Sequence, residues 1–323
     1  MARLPPPARD AGLAFAACAP GLEAVLAREL AELGLDARAV PGGAEAGGED
    51  AVALACLGSR VADAVALRLY RGPERGLGAA LDAARRRFGP GAPLAVRREG
   101  REATLSLDAA GAPLFKRGWR ARVGAAPLRE SLAAGLLLAL GHDGSLPFLD
   151  PMCGSGTIAI EAALLAARRA PGLGRTFAFE RWPGHGAART ARVRERLRAQ
   201  ERTPPAPIHA SDRNGGAVRL ALKNAAAAGA SEWIRIVRRD AAEVVPPEGP
   251  GVCLVNPPYG VRLDEDAAAA WRALASLLPR LGGWTVGVLA PDRGLEKLLG
   301  RSPVRALPVV NGGLRCRLLV YGP

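Results

Sequence analysis

In "FLDPMCGSGTIAIEAALLA", Phe148–Ala166, a short apolar run leads through glycines into an apolar helical pattern. The apolar run predicts a buried strand that ends on Asp150, and the periodic residues from Thr157 onward predict a helix. Gly154 and Gly156 permit a tight turn and a close approach of backbone to a ligand. Strand, glycine turn and helix in this order predict an α/β unit with a parallel sheet.

Further strand patterns follow, and helical patterns separate most of them. The predicted strands are "LPFLD" (146–150), "IHASD" (208–212), "IRIVRRD" (234–240), "VCLVN" (252–256) and "WTVGVLA" (284–290). This alternation is typical of a parallel sheet covered by helices on both faces. Two final β runs joined through "NGG" (311–313) predict an antiparallel hairpin. We therefore predict a doubly wound, mostly parallel, seven-stranded sheet with a C-terminal antiparallel hairpin.

The glycine turn suits two kinds of ligand, and the acid before it separates them. "GSGTIA" (154–159) satisfies the looser dinucleotide fingerprint, but that fingerprint also needs a ribose-binding acid about 20 residues further on. The next acid that ends a strand is Asp212, far later in the chain. Asp150 would repel a pyrophosphate and suits a cationic ligand such as S-adenosylmethionine. We expect Asp212 to hold a ribose diol, and Asp240 either to accept from an adenine amino group or to be a solvated loop acid.

The fourth predicted strand ends in "NPPY", Asn256–Tyr259, although proline cannot donate to a strand ladder. The prolines fix the backbone so that the Asn256 side-chain oxygen and the Pro257 carbonyl face the crevice beyond the strand ends. Two convergent acceptors suit an NH₂ group. Holding both protons out of the ring plane frees the nitrogen lone pair for attack on a methyl sulfonium, with Tyr259 stacked on the ring. The pattern predicts methyl transfer to an exocyclic amine, achieved by positioning and without a metal.

Three motifs together resemble the THUMP-associated RNA guanine-N2 methyltransferases, the family of the ribosomal large-subunit methyltransferase L type and its tRNA relatives. They are "LDPMCGSGTIAIEAA" (149–163), "NPPYGVR" (256–262) and "APLRESLAAGLL" (126–137). The resemblance implies a class I methyltransferase that uses S-adenosylmethionine to make N2-methylguanosine in structured RNA, either rRNA or tRNA.

By position, the resemblance also implies roles for individual residues. The cofactor loop comprises Asp150, Pro151, Met152, Cys153, Gly154, Ser155, Gly156 and Thr157. Asp212 would hold the ribose and Asp240 the adenine. The target base would lie against Asn256, Pro257, Pro258 and Tyr259. Arg129 and Glu130 would border the methionine end of the cofactor or the base.

The resemblance divides the chain into three segments: a ferredoxin-like α+β segment (1–72), a shortened THUMP-like RNA-binding region with a linker (73–122), and the methyltransferase domain (123–323). "FAACAPGLEAVLARELAELG" (15–34) resembles the family's first segment and "FKRGWR" (115–120) its linker. We expect "PGGAEAGGED" (41–50) to be a flexible turn region, and residues 170–207 to be an insertion after the first crossover helix.

Composition favours a polyanionic partner, since the net charge is +13 and the pI is about 10.7. Only three of the 44 basic residues are lysines, as a GC-rich genome would produce, so part of this charge is ordinary solvated surface. The basic clusters at 85–87, 97–101 and 116–122, the last with Trp119, fit either solvated charge or a phosphate-tracking surface. Five scattered cysteines and three distant histidines predict neither disulfides nor a metal site. We expect a cytoplasmic, monomeric protein that has no membrane span.

Other functions stay open. The same amine chemistry serves adenine-N6 methylation of DNA or RNA and methylation of a glutamine amide in a protein. A non-catalytic RNA-binding protein could keep the fold, although the intact glycine turn and "NPPY" motif count against it. An NAD oxidoreductase is disfavoured because Asp212 lies too far along the chain from the glycine turn to be the ribose-binding acid of the dinucleotide fingerprint. The sequence also lacks a residue suited to partner hydride transfer.

Overall fold

The computed structural model describes residues 12–120, 128–259, 265–291 and 294–322. They form two compact units. The first unit holds the residues up to Cys18, Glu23–Phe115 and Pro171–Ala199; the second holds Ala19–Leu22, Lys116–Ala170 and the residues from Gln200 onward. Within the described residues, no helix is long and apolar enough to cross a membrane.

The first unit is built on a six-stranded antiparallel sheet with the order β2-β3-β1-β4-β6-β5. Its strands are β1 (Ala14–Ala17), β2 (Asp36–Val40), β3 (Gly43–Gly47), β4 (Ala64–Pro73), β5 (Leu94–Glu99) and β6 (Glu102–Asp108). Its helices are α1 (Glu23–Glu32), α2 (Ala51–Gly58), α3 (Leu77–Phe88) and, from the predicted insertion, α6 (Ala187–Arg198). Leu26 and Leu30 of α1 are buried, so the leucines that recur at helical spacing form the inner face of this helix.

The prediction of a flexible turn at 41–50 is wrong. Gly43–Gly47 is the strand β3, which is almost wholly buried and pairs with both β1 and β2. Its glycines and alanines read as a turn in the sequence, but they serve close packing: a Cβ on Gly43 would lie 2.0 Å from the carbonyl oxygen of Ala16. Small residues here permit the backbones to approach, and periodicity gives no hint of that.

The predicted division between residues 72 and 73 falls inside the first unit, because β4 ends at Pro73 and pairs with β6 along most of its length. The predicted boundary therefore does not coincide with a boundary between compact units. Residues 171–199 of the predicted insertion, including α6, belong to this unit. In the chain, however, they come between α5 and β8, which both belong to the second unit.

The second unit contains a seven-stranded sheet with the order β12-β13-β11-β10-β7-β8-β9. The strands are β7 (Phe148–Asp150), β8 (Ile208–Asp212), β9 (Ile234–Arg238), β10 (Val252–Val255), β11 (Thr285–Pro291), β12 (Arg305–Asn311) and β13 (Leu314–Tyr321). The helices are α4 (Glu130–Ala139), α5 (Thr157–Ala166), α7 (Gly215–Ala227) and α8 (Glu265–Leu277). Strands β7 to β11 are mutually parallel and β13 is antiparallel to its neighbours. The predicted class I methyltransferase architecture with its C-terminal hairpin is confirmed.

The order of the strands positions the candidate site. Strand β7 lies between β8 and β10, so the residues that follow these three strands emerge at one edge of the sheet. The side chains of Trp271 from α8 and of Trp284, which precedes β11, are fully buried in a core with Val255 and Val288. This core packs against both β10 and β11.

Candidate active site

A cavity of about 560 Å³ lies at the carboxyl ends of β7, β8 and β10. Nine of the residues predicted from sequence line it: Pro151, Met152, Gly154, Asp212, Asp240, Asn256, Pro257, Pro258 and Tyr259. The glycine turn and the Asn-Pro-Pro-Tyr loop therefore face the same space, as their positions after neighbouring strands require. The roles of these residues remain predictions.

The two glycines of the turn after β7 serve different purposes. Gly154 has φ +52°, and a Cβ added there would meet no atom within 4 Å, so its backbone is open to the cavity. Gly156 has φ +83°, and a Cβ there would lie 3.1 Å from the Cβ of Ala221 on α7. The first glycine leaves room for a ligand, and the second lets α5 begin close to α7.

Asp212 holds this turn in place. Its Oδ2 accepts a hydrogen bond from the backbone N–H of Gly154 at 2.9 Å, and its Oδ1 accepts from the N–H of Asn214 at 2.8 Å. The side-chain amide of Asn224 donates to the carbonyl of Ser155 at 2.9 Å. The carboxylate after β8 thus shapes the turn after β7, in addition to lining the cavity.

Asp150 lies beneath the cavity and does not line it. Its side chain is fully buried, and its Oδ1 accepts a long bond of 3.4 Å from the N–H of Met152. Its Oδ2 has no hydrogen-bond partner among the described residues. Burial raises the pKa of Asp150 to about 8. The sequence did not predict this protonated state, because the depth of burial comes from packing around β7.

Six other predicted site residues lie outside the cavity wall: Arg129, Glu130, Cys153, Ser155, Gly156 and Thr157. Cys153 is buried, and burial raises the pKa of its thiol far above the usual range, so it is a packed, protonated side chain. The hydroxyl groups of Ser155 and Thr157 lie 3.2 Å apart at the start of α5.

The linker arginines pair with buried acids close to this turn. Arg117 pairs with Glu161 of α5 at 3.4 Å, and both side chains are buried. Arg120 lies 3.3 Å from Glu130 and donates to the hydroxyl of Thr157 at 2.9 Å. Burial raises the pKa of Glu130, and the charge of Arg120 opposes that rise. Glu130 is therefore one half of an internal ion pair and is not exposed to the cavity.

The phosphate-tracking surface considered at 116–122 is not formed by these two arginines. Arg117 and Arg120 are occupied by internal ion pairs, and Trp119 is only 6% exposed. A surface that follows phosphates needs exposed cations. Arg122, the last basic residue of this cluster, lies outside the described residues.

The Asn-Pro-Pro-Tyr loop leaves a polar atom unsatisfied at the cavity. The Oδ1 of Asn256 is buried and has no hydrogen-bond partner among the described residues. The carbonyl of Pro258 accepts from the indole N–H of Trp271 at 3.2 Å, and the hydroxyl of Tyr259 accepts from the side-chain amide of Asn311 at 2.7 Å. Burial raises the pKa of Tyr259, which therefore stays a neutral phenol at neutral pH.

Sequence reasoning missed several residues that line or support the cavity. Arg213 pairs with Asp266 at 3.1 Å, and both line the cavity; Asn214 caps α7. Ala267, Ala270 and Ala273 present a small-residue face of α8. Two features of the sequence could have indicated these residues: "DRN" (212–214) at the end of β8, and the three-residue spacing of the alanines in α8. Nothing in the sequence linked Asn311 to Tyr259.

No group of three or more His, Cys, Asp or Glu side chains within the described ranges could hold a metal ion. The polar groups at the cavity are instead carboxylates, amides and backbone carbonyls set singly at strand ends. This donor set suits hydrogen bonding to an organic ligand.

Residues 117–319 match a family described as the RMKL-like methyltransferase domain, and residues 14–66 match the RlmL ferredoxin-like domain. The ribosomal RNA large subunit methyltransferase K/L of Pseudoalteromonas atlantica is 39% identical over 228 residues, which is 68% of this chain but only 32% of that protein. The chain therefore spans about a third of the length of this relative.

Several solved structures match almost the whole chain. A putative methyltransferase complexed with SAH is 26% identical, with a TM-score of 0.84 over 98% of this chain and 99% of that one. A predicted N6-adenine-specific DNA methylase from Listeria monocytogenes is 27% identical, with a TM-score of 0.86 over 97% and 96% of the two chains. With its fold, its two motifs in one cavity and a family match over most of its length, the chain belongs to the RMKL-like methyltransferase family.

Proposed function

We propose that this protein transfers a methyl group from S-adenosylmethionine to the exocyclic N2 of a guanosine in structured RNA, either rRNA or tRNA. The observation that carries the proposal is the shared cavity, in which the turn at Gly154 faces Asn256 with its unpartnered Oδ1. The relative from Pseudoalteromonas atlantica, named for ribosomal RNA, supports RNA as the substrate.

The residues after β7, β8 and β9 fit S-adenosylmethionine. The open backbone of Gly154 leaves room for the amino-acid end of the cofactor. Both oxygens of Asp212 already hold a backbone N–H, but each keeps a lone pair that a ribose hydroxyl can use. One oxygen of Asp240 caps the turn that follows it through the N–H of Ala242, and the other is available to an adenine amino group. The neighbouring structure complexed with SAH supports this assignment.

When bound, the cofactor supplies a methyl group on a sulfonium, whose sulfur keeps the electron pair of the broken C–S bond. The protein has to hold the amine and its lone pair in line with that bond. Asn256 Oδ1 and the Pro257 carbonyl each accept one N–H of the amine, and this satisfies the buried oxygen of Asn256. The methylated nitrogen is strongly acidic and gives its extra proton to water, so no strong base is needed.

Tyr259 provides the surface on which the target base rests. Its ring is half-buried at the cavity, where it packs against the core that includes Val288 and Leu319. A base taken out of its stack is commonly held by such a ring, which contributes about 1–3 kcal/mol.

The first unit offers exposed positive charge for a polyanion. Arg85, Arg86 and Arg87 form the exposed last turn of α3 and make no ion pair with a described residue. Each contact between an arginine and a phosphate weakens with salt in a measurable way. This unit therefore supports RNA as the partner, in line with the RNA-binding region predicted there.

The proposal is tested by incubating the purified protein and S-adenosylmethionine that carries a CD₃ group with rRNA and tRNA from a strain lacking the gene. Nucleoside mass spectrometry should find labelled N2-methylguanosine in one RNA fraction. Labelled N6-methyladenosine in RNA or DNA would assign the amine chemistry to adenine, the base named for the Listeria monocytogenes structure. Cofactor binding without transfer to RNA, DNA or protein would indicate a non-catalytic protein.

A further inference from the structure

The hairpin formed by β12 and β13 does not explain why residue 311 is an asparagine. It is the last residue of β12, where it pairs with Leu314 across the hairpin. The two residues of the turn are Gly312 (φ +58°) and Gly313 (φ +88°), which supply both left-handed conformations that such a turn needs. Asn311 does not adopt a left-handed conformation, and asparagine is disfavoured within strands. Neither the turn nor the strand requires an amide at this position.

The amide has a partner in the cavity. Asn311 Nδ2 donates to the phenolic oxygen of Tyr259 at 2.7 Å, and both side chains are half-buried. Pro257 and Pro258 have no N–H, so the loop cannot be fixed by donating from these residues. It is held through acceptors instead: Trp271 binds the Pro258 carbonyl, and Asn311 binds the Tyr259 hydroxyl.

We propose that Asn311 is a positioning residue for methyl transfer, which holds the ring of Tyr259 in the orientation that receives the target base. This inference rests on the proposed function, because it takes Tyr259 as the surface under the base. The prolines fix the backbone of the loop but not the two side-chain torsions of Tyr259, whose ring is otherwise held only by packing against the core. A hydrogen bond at the far end of the ring adds a restraint on both torsions, and the pairing of Asn311 with Leu314 in the hairpin ladder positions the donor.

A double-mutant cycle tests the inference. Asn311→Ala removes the donor, and Tyr259→Phe keeps the ring but removes the acceptor. Each should lower kcat/KM for RNA about tenfold, the value of one buried neutral hydrogen bond, with the dissociation constant of S-adenosylmethionine within about twofold of the wild type. The double variant should be no worse than either single variant. If Asn311→Ala lowers kcat/KM equally in the Tyr259→Phe background, Asn311 does not act through the hydroxyl and the inference is wrong.

A second readout does not depend on activity. The chain has three tyrosines, Tyr70, Tyr259 and Tyr321, so a protein labelled with 3-fluorotyrosine should give three ¹⁹F signals. Tyr259→Phe assigns the signal of interest, and Asn311→Ala should shift it. Leu314→Ala, at the opposite ladder position, is the matched control for a loosened hairpin end and should leave the signal in place. An unshifted signal in Asn311→Ala overturns the inference.

The two measurements together separate this inference from the proposed function. A shifted signal in a protein that transfers no methyl group to RNA would confirm the contact but refute both the proposed function and the positioning role. Wild-type activity in Asn311→Ala, with methyl transfer to RNA intact, would refute the positioning role alone.

Discussion

Strands β7 and β10 are neighbours that lead into side chains of nearly the same shape, Asp150 and Asn256, yet the loops after them are built in opposite ways. Each side chain has a buried oxygen with no hydrogen-bond partner among the described residues. The loop after Asp150 has a single proline followed by two glycines with positive φ, whereas the loop after Asn256 has two consecutive prolines. The difference lies in how each loop acquires a fixed shape.

A glycine turn has no intrinsic shape, so other elements must impose one. Here Asp212 and Asn224 bind its backbone, and Arg120 binds the hydroxyl of Thr157 that follows it. The proline loop has most of its shape built in and needs anchors only at Pro258 and Tyr259. The loop proposed to bind the cofactor therefore depends on its neighbours for its shape, and the loop proposed to present acceptors to the reacting group depends mainly on its own covalent structure.

Removing the side-chain amide of Asn256 should reduce activity more than any other substitution. Asn256→Ala should lower kcat for methyl transfer by about 10³-fold, because it removes one of the two groups that we propose hold the reacting amine. The dissociation constant of S-adenosylmethionine should stay within a few-fold, because the proposal assigns the cofactor to the other loop. Steady-state transfer of labelled methyl groups and calorimetric titration of the cofactor measure the two quantities.

Asn256→Asp serves as the matched variant, since it keeps the shape and an acceptor oxygen. It should retain more activity than Asn256→Ala. A variant Asn256→Ala that loses cofactor binding but keeps its turnover at saturation would reverse the roles assigned to the two loops.

The next largest effect should come from replacing Asp212, whose carboxylate binds the backbone of the glycine turn. Asp212→Ala removes two charge-assisted hydrogen bonds to backbone N–H groups, each worth about 1.5–3 kcal/mol. We expect the dissociation constant of S-adenosylmethionine to rise by about 10²-fold, with kcat at saturating cofactor nearly unchanged. Asp212→Asn keeps one acceptor oxygen and should show a smaller rise. Equal dissociation constants for the wild type and Asp212→Ala would mean that the glycine turn keeps its shape without this carboxylate.

The sequence predicted these two loops because each has a strong local signature at a strand end. Glycines after an apolar run and prolines after another are visible in a single sequence, and the order of strands in a doubly wound sheet brings the two together. The same reasoning located Asp212 and Asp240. It failed for Asn311, because its partner Tyr259 is 52 residues away in the chain. Tyr259 lies in the loop after β10, whereas Asn311 is the last residue of β12. Such contacts come from tertiary packing, which local patterns do not encode.

The first unit shows the same limit in its fold. The helix α1 was predictable because its leucines recur at helical spacing, whereas β3 was not, because Gly43–Gly47 contains only small residues and Glu45. Glu45 is buried in β3 and pairs with Arg38 of β2 and with Arg68 and Arg71 of β4, which lies beyond β1 in the sheet. A charged residue in a glycine-rich stretch is typical of a turn, and only the arginines from β2 and β4 allow it to be a buried strand residue.

A titration should distinguish the two strand ends, since Asp150 can ionise and Asn256 cannot. Burial raises the pKa of Asp150 from 3.8 to about 8, so the folded protein binds this proton more tightly than the unfolded chain. Between these two values the unfolded chain has lost the proton and the folded protein retains it, so rising pH favours unfolding. This proton lowers the free energy of unfolding by at most about 1.4 kcal/mol for each pH unit of the rise. Asp150→Asn removes it, so the free energy of unfolding of the variant, relative to the wild type, should increase from about pH 5 to about pH 7. Urea unfolding of both proteins at several pH values measures this, and a difference that does not change with pH would show that Asp150 is already ionised in the folded protein.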